Sequence, residues 1–416
     1  MDLPHSPICL ILEGLITISK AVIPAKHVDV DGVGAERRGD VEYPKASCLS
    51  SDDRKMIQAF TGRDVDFLAL SYTETAEQVL DARRVLDGAG LTECAILAKV
   101  ETRFGLRNFE AILKVANGII ISRGNIGLTL PIEKVATLQK ECIRRANLAG
   151  KLALITRIFD SMTDAPRPTR AEATDVANAV LDGVDGFLLG AETVRGHFPV
   201  AVVNQVARIC AVAEKVFHHQ HFFEARMAAL DGEATTAATA GLDVRASMAS
   251  TLVRVADKTG VTLIIVMTKS GRLAQEVAVW RPRVPILALF PPTLRTEEGV
   301  RWVLGGRAEA RRAMLLRGVL PMLADPHDGL NDDAMLVSAL AFAQTAGLVS
   351  HSDTVAVSHR LRDDIVISLV NIADIAPPAL EAAATTSSIH HMGKAAFDRT
   401  PSAYDLQRHQ QLHNGK

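Results

Sequence analysis

Residues Ala98–Gly127, AKVETRFGLRNFEAILKVANGIIISRGNIG, decide how the chain folds. Two short apolar runs each end in polar residues: Lys99 and Glu101 in the first, Arg123-Gly124-Asn125 in the second. Between them Arg107 to Val115 repeats its apolar residues with helical period. Strand, helix and strand in this order make a βαβ unit, with parallel strands and a right-handed crossover. In barrels and open sheets of this kind, ligands and chemistry collect at the carboxyl ends of the strands.

The same alternation extends to both sides. DVDFLALSY (64–72), CAILAKVE (94–101), NGIIISRG (117–124), KLALITR (151–157) and GFLLGAE (186–192) read as strands. Helices follow them, the last over about 199–217. Ser50-Ser51-Asp52-Asp53 and the capping-box pattern Thr169-x-x-Glu172 open two of the helices, and Pro131 starts another. Five such repeats, at close to the ~30 residues per unit of a (β/α)₈ barrel, predict an α/β protein with a partial TIM-type barrel of about five of eight strands.

Upstream, GLITISKAV (14–22) and KHVDVDGV (26–33) look like strands of an antiparallel ribbon. Downstream, Ala225–Asp243 is rich in Ala, Thr, Gly and Glu and marks a boundary. A C-terminal α/β domain follows, with helices at 245–259, 272–280 and 332–346, and a helix or turn near 297–304. Its strands are expected at 261–268, 284–290, 313–320, 353–359 and 364–370. The expected division is an N-terminal segment (1–42), the partial barrel (43–226), the C-terminal domain (227–375) and a polar, disordered tail (376–416).

Bulk properties narrow the function classes. A net charge of −2 argues against a broadly electrostatic nucleic-acid or membrane binder, and 4% aromatic residues against base-stacking platforms. The apolar run from Cys9 to Ile18 is interrupted by Glu13 and is too short to span a bilayer. The five cysteines are scattered and lack CxxC spacing, so they read as reduced, core-filling thiols of a cytoplasmic protein.

Candidate chemistry concentrates on one rim. Lys99 and Glu101 lie two apart on a strand, so their side chains share a side. They are either a structural ion pair, or a metal-holding carboxylate beside a cation that stabilises moving charge. Arg123-Gly124-Asn125 offers backbone amides in a glycine turn that an anion can approach closely, or is a plain βα loop. Thr156, Arg157 and Glu192 end the next two strands. This convergence points to a metal-assisted enzyme acting on a small anionic substrate such as a phosphorylated one. Other features read more simply. His218-His219-x-His221 is an exposed helix end, and Thr268–Arg272 a phosphate nest or a capped connection. Asp64 and Asp66 cap a strand or face solvent, and Arg307, Arg311, Arg312 and Arg317 form a solvated basic face.

AKVE (98–101), SRGNIG (122–127), TRIFDSM (156–162) and above all RPTRAEATDVANAVLDG (167–183) resemble the pyruvate kinase family, in its plant cytosolic branch. The likeness continues through GAETVRGHFP (190–199) and, in the second domain, RPRVPILAL (281–289) and RGVLPMLAD (317–325). It implies phosphoryl transfer from phosphoenolpyruvate to ADP, giving pyruvate and ATP in glycolysis, with Mg²⁺ and K⁺ and a homotetrameric assembly. By the same resemblance Lys99 stabilises the phosphoryl group in flight, and Glu101 and Asn125 hold the divalent metal. Arg123, Gly124 and Asn125 receive the substrate carboxylate, and Thr156 lies near the carbon that is protonated. Most of the family has aspartate at the position of Asn125. The family's first three barrel strands and most of its lid, which carry the potassium ligands, have no counterpart here, so the chain resembles an N-terminally truncated member. A non-catalytic regulatory or metabolite-binding subunit and an inactive fragment are the alternative readings.

Overall fold

The computed structural model describes residues 15–18, 48–63, 65–234, 244–297, 301–325, 331–361 and 364–375. The predicted 26–33 strand and 376–416 tail lie outside them.

The first unit runs β1 (Leu15–Ile18), α1 (Ser51–Ala59), β2 (Phe67–Leu70), α2 (Ala76–Gly88), β3 (Ala95–Val100), α3 (Arg103–Arg107), α4 (Phe109–Val115) and β4 (Gly118–Ile121). It continues with α5 (Arg123–Thr129), α6 (Ile132–Leu148), β5 (Leu152–Thr156), α7 (Arg170–Leu181), β6 (Gly186–Leu188), α8 (Ala191–Val194) and α9 (Pro199–Glu214). β1 to β6 form one sheet in sequence order, every pair parallel, as βαβ connections require. β2 to β6 are the five expected strands and make a half-barrel.

Three local expectations in this unit change. Leu15–Ile18 is a strand, but it pairs in parallel with β2 (Leu15 opposite Phe67) rather than in an antiparallel ribbon. A β-branched run reports strand propensity and carries no mark of pairing direction. The helix expected at 107–115 begins at Arg103, because the Thr102 hydroxyl accepts the Gly105 amide at 3.2 Å, and it breaks at Asn108. The glycine turn at 123–125 is the first turn of the short helix α5.

α10 (His219–Ala234) crosses the expected boundary at 226/227 and leads to the second unit. There follow α11 (Val244–Thr259), β7 (Leu263–Met267), α12 (Arg272–Ala278), β8 (Ile286–Phe290), β9 (Thr293–Glu297) and β10 (Arg301–Gly305). α13 (Arg307–Ala313), β11 (Val319–Leu323), α14 (Asp332–Thr345), β12 (Thr354–Leu361) and β13 (Asp364–Asn371) complete it. The sheet order is β11-β8-β7-β12-β13, with only the β12–β13 pair antiparallel. Of the expected helix or turn at 297–304, the described residues 297 and 301–304 lie instead in the antiparallel pair β9–β10. The strand expected at 313–320 starts later, at Val319, after a helix and Gly318 at φ +80°. AMLLRGVL is apolar without a clear period, so its helix-to-strand switch is not locally marked.

Period-two alternation sorts the half-barrel's side chains. Leu68, Leu70, Ile96 and Ala98 pack outward with Ile57, Val79, Ala82 and Leu86 of α1 and α2. Ile119, Ile121, Ala153 and Ile155 pack outward with Ile143, Val176 and Val206. The inner face is buried too: Phe67, Leu97, Ile120 and Leu154 belong to one apolar cluster with Leu252, Ile264 and Trp280 of the second unit. Each such side chain removed from water contributes roughly 1.5–3 kcal/mol. Gly118 leaves room for the packing of β4 on its neighbours, since a Cβ there would lie 2.7 Å from that of Leu152.

Polar contacts bring the second unit to the amino ends of the half-barrel strands. Arg311 meets Asp66 before β2 at 3.0 Å, and Arg312 meets Glu93 before β3 at 3.1 Å. Gln275 donates to the Gly150 carbonyl before β5 at 2.8 Å, and Arg281 meets Asp185 before β6 at 2.7 Å. Of the arginines expected on a solvated face, Arg307 is exposed, whereas Arg311 and Arg312 are interface residues and Arg317 is buried, donating to the Val180 carbonyl at 2.9 Å. Asp66 is likewise buried rather than solvent-facing. With the amino ends engaged, the carboxyl ends are the rim available for a site.

Candidate functional site

β3 delivers Lys99 and Glu101 to the inner rim. The Lys99 ammonium lies 3.0 Å from Glu101 Oε1, and the carboxylate side chain is only 1% exposed. Lys99 also donates to Ser71 Oγ, just past β2, at 3.2 Å. Glu101 Oε2 accepts the Asn125 side-chain amide. Oε1 has no hydrogen-bond partner, so its contact with Lys99 is an ion pair without an aligned hydrogen bond. A buried carboxylate oxygen left in this state suits a hard cation. Turning the Asn125 amide over would bring Oδ1, a further oxygen ligand, beside Oε2 of the same carboxylate. Among the described residues no group of three or more His, Cys, Asp or Glu side chains is arranged to hold a metal. Any cation here would draw its remaining ligands from substrate and water, as Mg²⁺ sites commonly do.

β4 delivers the turn. Ser122 precedes α5 and donates its amide to the Val100 carbonyl at 3.2 Å, which ties the β3 and β4 ends together. The Arg123 guanidinium is committed to structure: it pairs with Asp175 of α7 and donates to the Arg157 carbonyl at 2.9 Å. Gly124 is exposed, and a Cβ there would meet Arg157 Nη1 at 3.1 Å. Its lack of a side chain leaves room for that guanidinium.

β5 ends in Thr156, 8% exposed, followed by Arg157 in the left-handed region at φ +59°. That conformation costs a non-glycine residue about 1–2 kcal/mol. Tyr72, beside Ser71, also has positive φ (+53°), and burial and then the nearby Glu101 charge raise its hydroxyl pKa. Glu192, at the β6 end, is fully buried; its Oε2 accepts the Gly190 amide at 3.0 Å, and Oε1 has no partner.

The structure thus links the candidates in a chain from Lys99 through Glu101, Asn125 and Gly124 to Arg157, with Thr156 on the adjoining strand end. Ser71 and Asp175 were not singled out by sequence. Ser71 sits one residue beyond a strand end in an unremarkable Ser-Tyr pair, and Asp175 lies inside a helix, where only tertiary contact reveals its use. The weaker candidates resolve differently. His219 is half-buried, with Nδ1 2.7 Å from the Arg281 carbonyl. Thr268–Arg272 forms a capped connection in which Thr268 Oγ1 accepts the Gly271 amide at 3.1 Å.

Comparison with known proteins places this geometry in context. The pyruvate kinase barrel domain matches residues 18–203, and the pyruvate kinase alpha/beta domain matches residues 246–369. The cytosolic pyruvate kinase 2 of Oryza sativa subsp. indica is 43% identical over 333 residues, covering 78% of this chain and 62% of the rice protein. The probable cytosolic isozyme of Arabidopsis thaliana is 33% identical, covering 83% of this chain and 67% of that protein. Among solved structures, a pyruvate kinase from Cryptosporidium parvum superposes with TM-score 0.69 at 28% identity, covering 78% of this chain and 62% of that one. The chain therefore spans about three-fifths of the length of the rice relative.

Proposed function

Because this chain belongs to the pyruvate kinase family, we propose that it transfers the phosphoryl group of phosphoenolpyruvate to ADP, yielding pyruvate and ATP. The observation that carries this reading is the buried contact of Lys99 with Glu101, which is itself bonded to Asn125 at the rim. Phosphoryl transfer needs little covalent help from a protein and depends on positioning and charge. A fixed ammonium, a carboxylate and an anion-receiving turn supply both.

In this account Lys99 offers positive charge to the phosphoryl oxygens as they separate from one oxygen and approach another. Ser71 and Glu101 hold its side chain in place before substrate arrives, so little reorganisation is needed. Glu101 and Asn125 are the residues that would hold Mg²⁺, whose contribution is to neutralise charge on the transferred group. The amides of Arg123, Gly124 and Asn125 receive the substrate carboxylate, and Thr156 faces the carbon that gains a proton. No described residue is assigned to K⁺. We further propose the division into a half-barrel unit to residue 226 and an α/β unit over 227–375, with α10 as the helix that joins them across that boundary, a cytoplasmic location and a homotetramer. Among the described residues no helix is long and apolar enough to cross a membrane.

Phosphorus NMR of the protein with phosphoenolpyruvate, ADP, Mg²⁺ and K⁺ tests the reaction. The phosphoenolpyruvate resonance should decay as ATP resonances grow. Persistence of both reactants at high protein concentration would refute it.

A further inference from the structure

Arg157 stands out among the rim residues the proposed reaction leaves unused. It follows Thr156 directly, and its own carbonyl anchors the Arg123 guanidinium at 2.9 Å. Its side chain turns back over the turn at 123–125, where Nη1 lies 3.1 Å from the place a Cβ on Gly124 would occupy. Its Nη2 lies 3.2 Å from Asp160 Oδ2, with both side chains about half exposed (52% and 51%). Among the described residues Nη1 has no acceptor, so its two N–H groups are left for a ligand beside Gly124, in the turn whose amides receive the substrate carboxylate in the function proposed above. The positive φ of Arg157 is part of this placement, because it follows the sharp change of direction at the end of β5.

Asp160 is a weak partner. The Arg157 Nε–H also reaches Asp160 Oδ1, but at 3.5 Å, so the fork is loose; an exposed pair of this kind is worth little in water, and an incoming anion can replace the carboxylate at small cost. Arg123, by contrast, is held by Asp175 and a carbonyl and has less freedom to meet a ligand. Asn125 also contributes no negative charge beside the turn, so no carboxylate at 125 competes for the Arg157 guanidinium.

We propose that Arg157 is a specificity-determining binding residue: its guanidinium exchanges Asp160 for an oxygen of the substrate's anionic group at the 123–125 turn. The ligand class is a small carboxylate, with or without a phosphate ester. This rests on the function proposed above for that turn. A planar guanidinium over a row of amides favours the two-oxygen geometry of a carboxylate over a single point acceptor.

Calorimetric titration of the full chain with phosphoenolpyruvate, and separately with oxalate, both with Mg²⁺, tests this, alongside turnover and melting temperature. Arg157→Gln should weaken both anions about 10- to 100-fold, the range of a charge-assisted hydrogen bond, leaving ADP affinity and melting temperature unchanged. Arg157→Lys, which keeps the charge but not the fork, should fall between, and Asp160→Asn should bind as tightly as the parent or more so. Unchanged anion affinity in Arg157→Gln overturns the proposal, as does an equal loss of ADP binding or a parent protein that binds neither anion. The two readings separate cleanly. A parent that binds phosphoenolpyruvate through Arg157 without producing pyruvate refutes the reaction alone, and normal turnover with an indifferent Arg157→Gln refutes Arg157 alone.

Discussion

Arg281 and Asp185 meet at 2.7 Å across the two units, with side chains 4% and 5% exposed. The guanidinium also donates to Asn147 Oδ1 at 3.1 Å and to the Gly183 carbonyl at 2.9 Å. One side chain of the second unit thus ties the end of α6 to the approach of β6 from below, while Thr156 ends β5 and Glu192 follows β6 at the opposite rim. Removing one partner strands the other charge in a dry interface. We expect Arg281→Ala to lower unfolding free energy by about 3–5 kcal/mol, and a volume-matched apolar pair at both positions to cost less, its remaining loss coming from the Ala153 amide, which donates to Asp185 Oδ2 at 2.9 Å and would lose its acceptor. Urea denaturation of the two variants measures this, and a loss under 1 kcal/mol in Arg281→Ala would contradict it.

Asn125 gives the site a metal-dependent signature. Asn125→Asp places a second carboxylate against Glu101, and two unit charges about 4 Å apart repel by roughly 4 kcal/mol at an effective dielectric of 20. The variant should melt below the parent in chelator and gain more than the parent on adding Mg²⁺, by mass action on the folded state. Thermal melts with and without the ion read both changes. Equal Mg²⁺ responses in parent and variant would remove Glu101 and Asn125 from any metal site.

The buried thiols set an alkaline limit. Burial pushes Cys94 up to about 12 and Cys142 up to about 12, from an ordinary thiol value near 9. The folded state therefore holds these protons longer than the unfolded chain does. Their contribution to stability is intact below about pH 9 and declines as pH rises toward 12. Neither thiol should react with iodoacetamide at pH 8 in the folded protein, and both should react in urea. Rapid native labelling at either position, read by mass spectrometry, would contradict the burial argument.

Much of this arrangement is legible in sequence. Five half-barrel strands lie inside their expected ranges because buried parallel strands read as short apolar runs between helical periods. Lys99, Glu101 and the 123–125 turn are visible because charge at the end of an apolar strand has few structural uses. What stays hidden is set by contacts remote in sequence. Nothing near Asp66 announces Arg311, 245 residues away, and nothing near Asp185 announces Arg281. The 293–305 pair is obscure for a different reason, since TLRTEEGVRWVLG mixes charge with apolar residues at neither period. In sequence Arg157 is legible only as a strand end; its left-handed backbone, which accompanies the placement of the side chain against Gly124, has no counterpart in its residue type.

The central claim is that Lys99, held by Glu101 and Ser71, promotes phosphoryl transfer at this rim. It is tested most directly by pyruvate formation from phosphoenolpyruvate and ADP with Mg²⁺ and K⁺, followed through lactate dehydrogenase, for the parent and Lys99→Ala. We predict turnover by the parent and a loss of roughly 100- to 1,000-fold in kcat for the variant, as for removal of a preorganised charge-stabilising donor. Equal rates in the two proteins, or no pyruvate from the folded parent, would contradict the account.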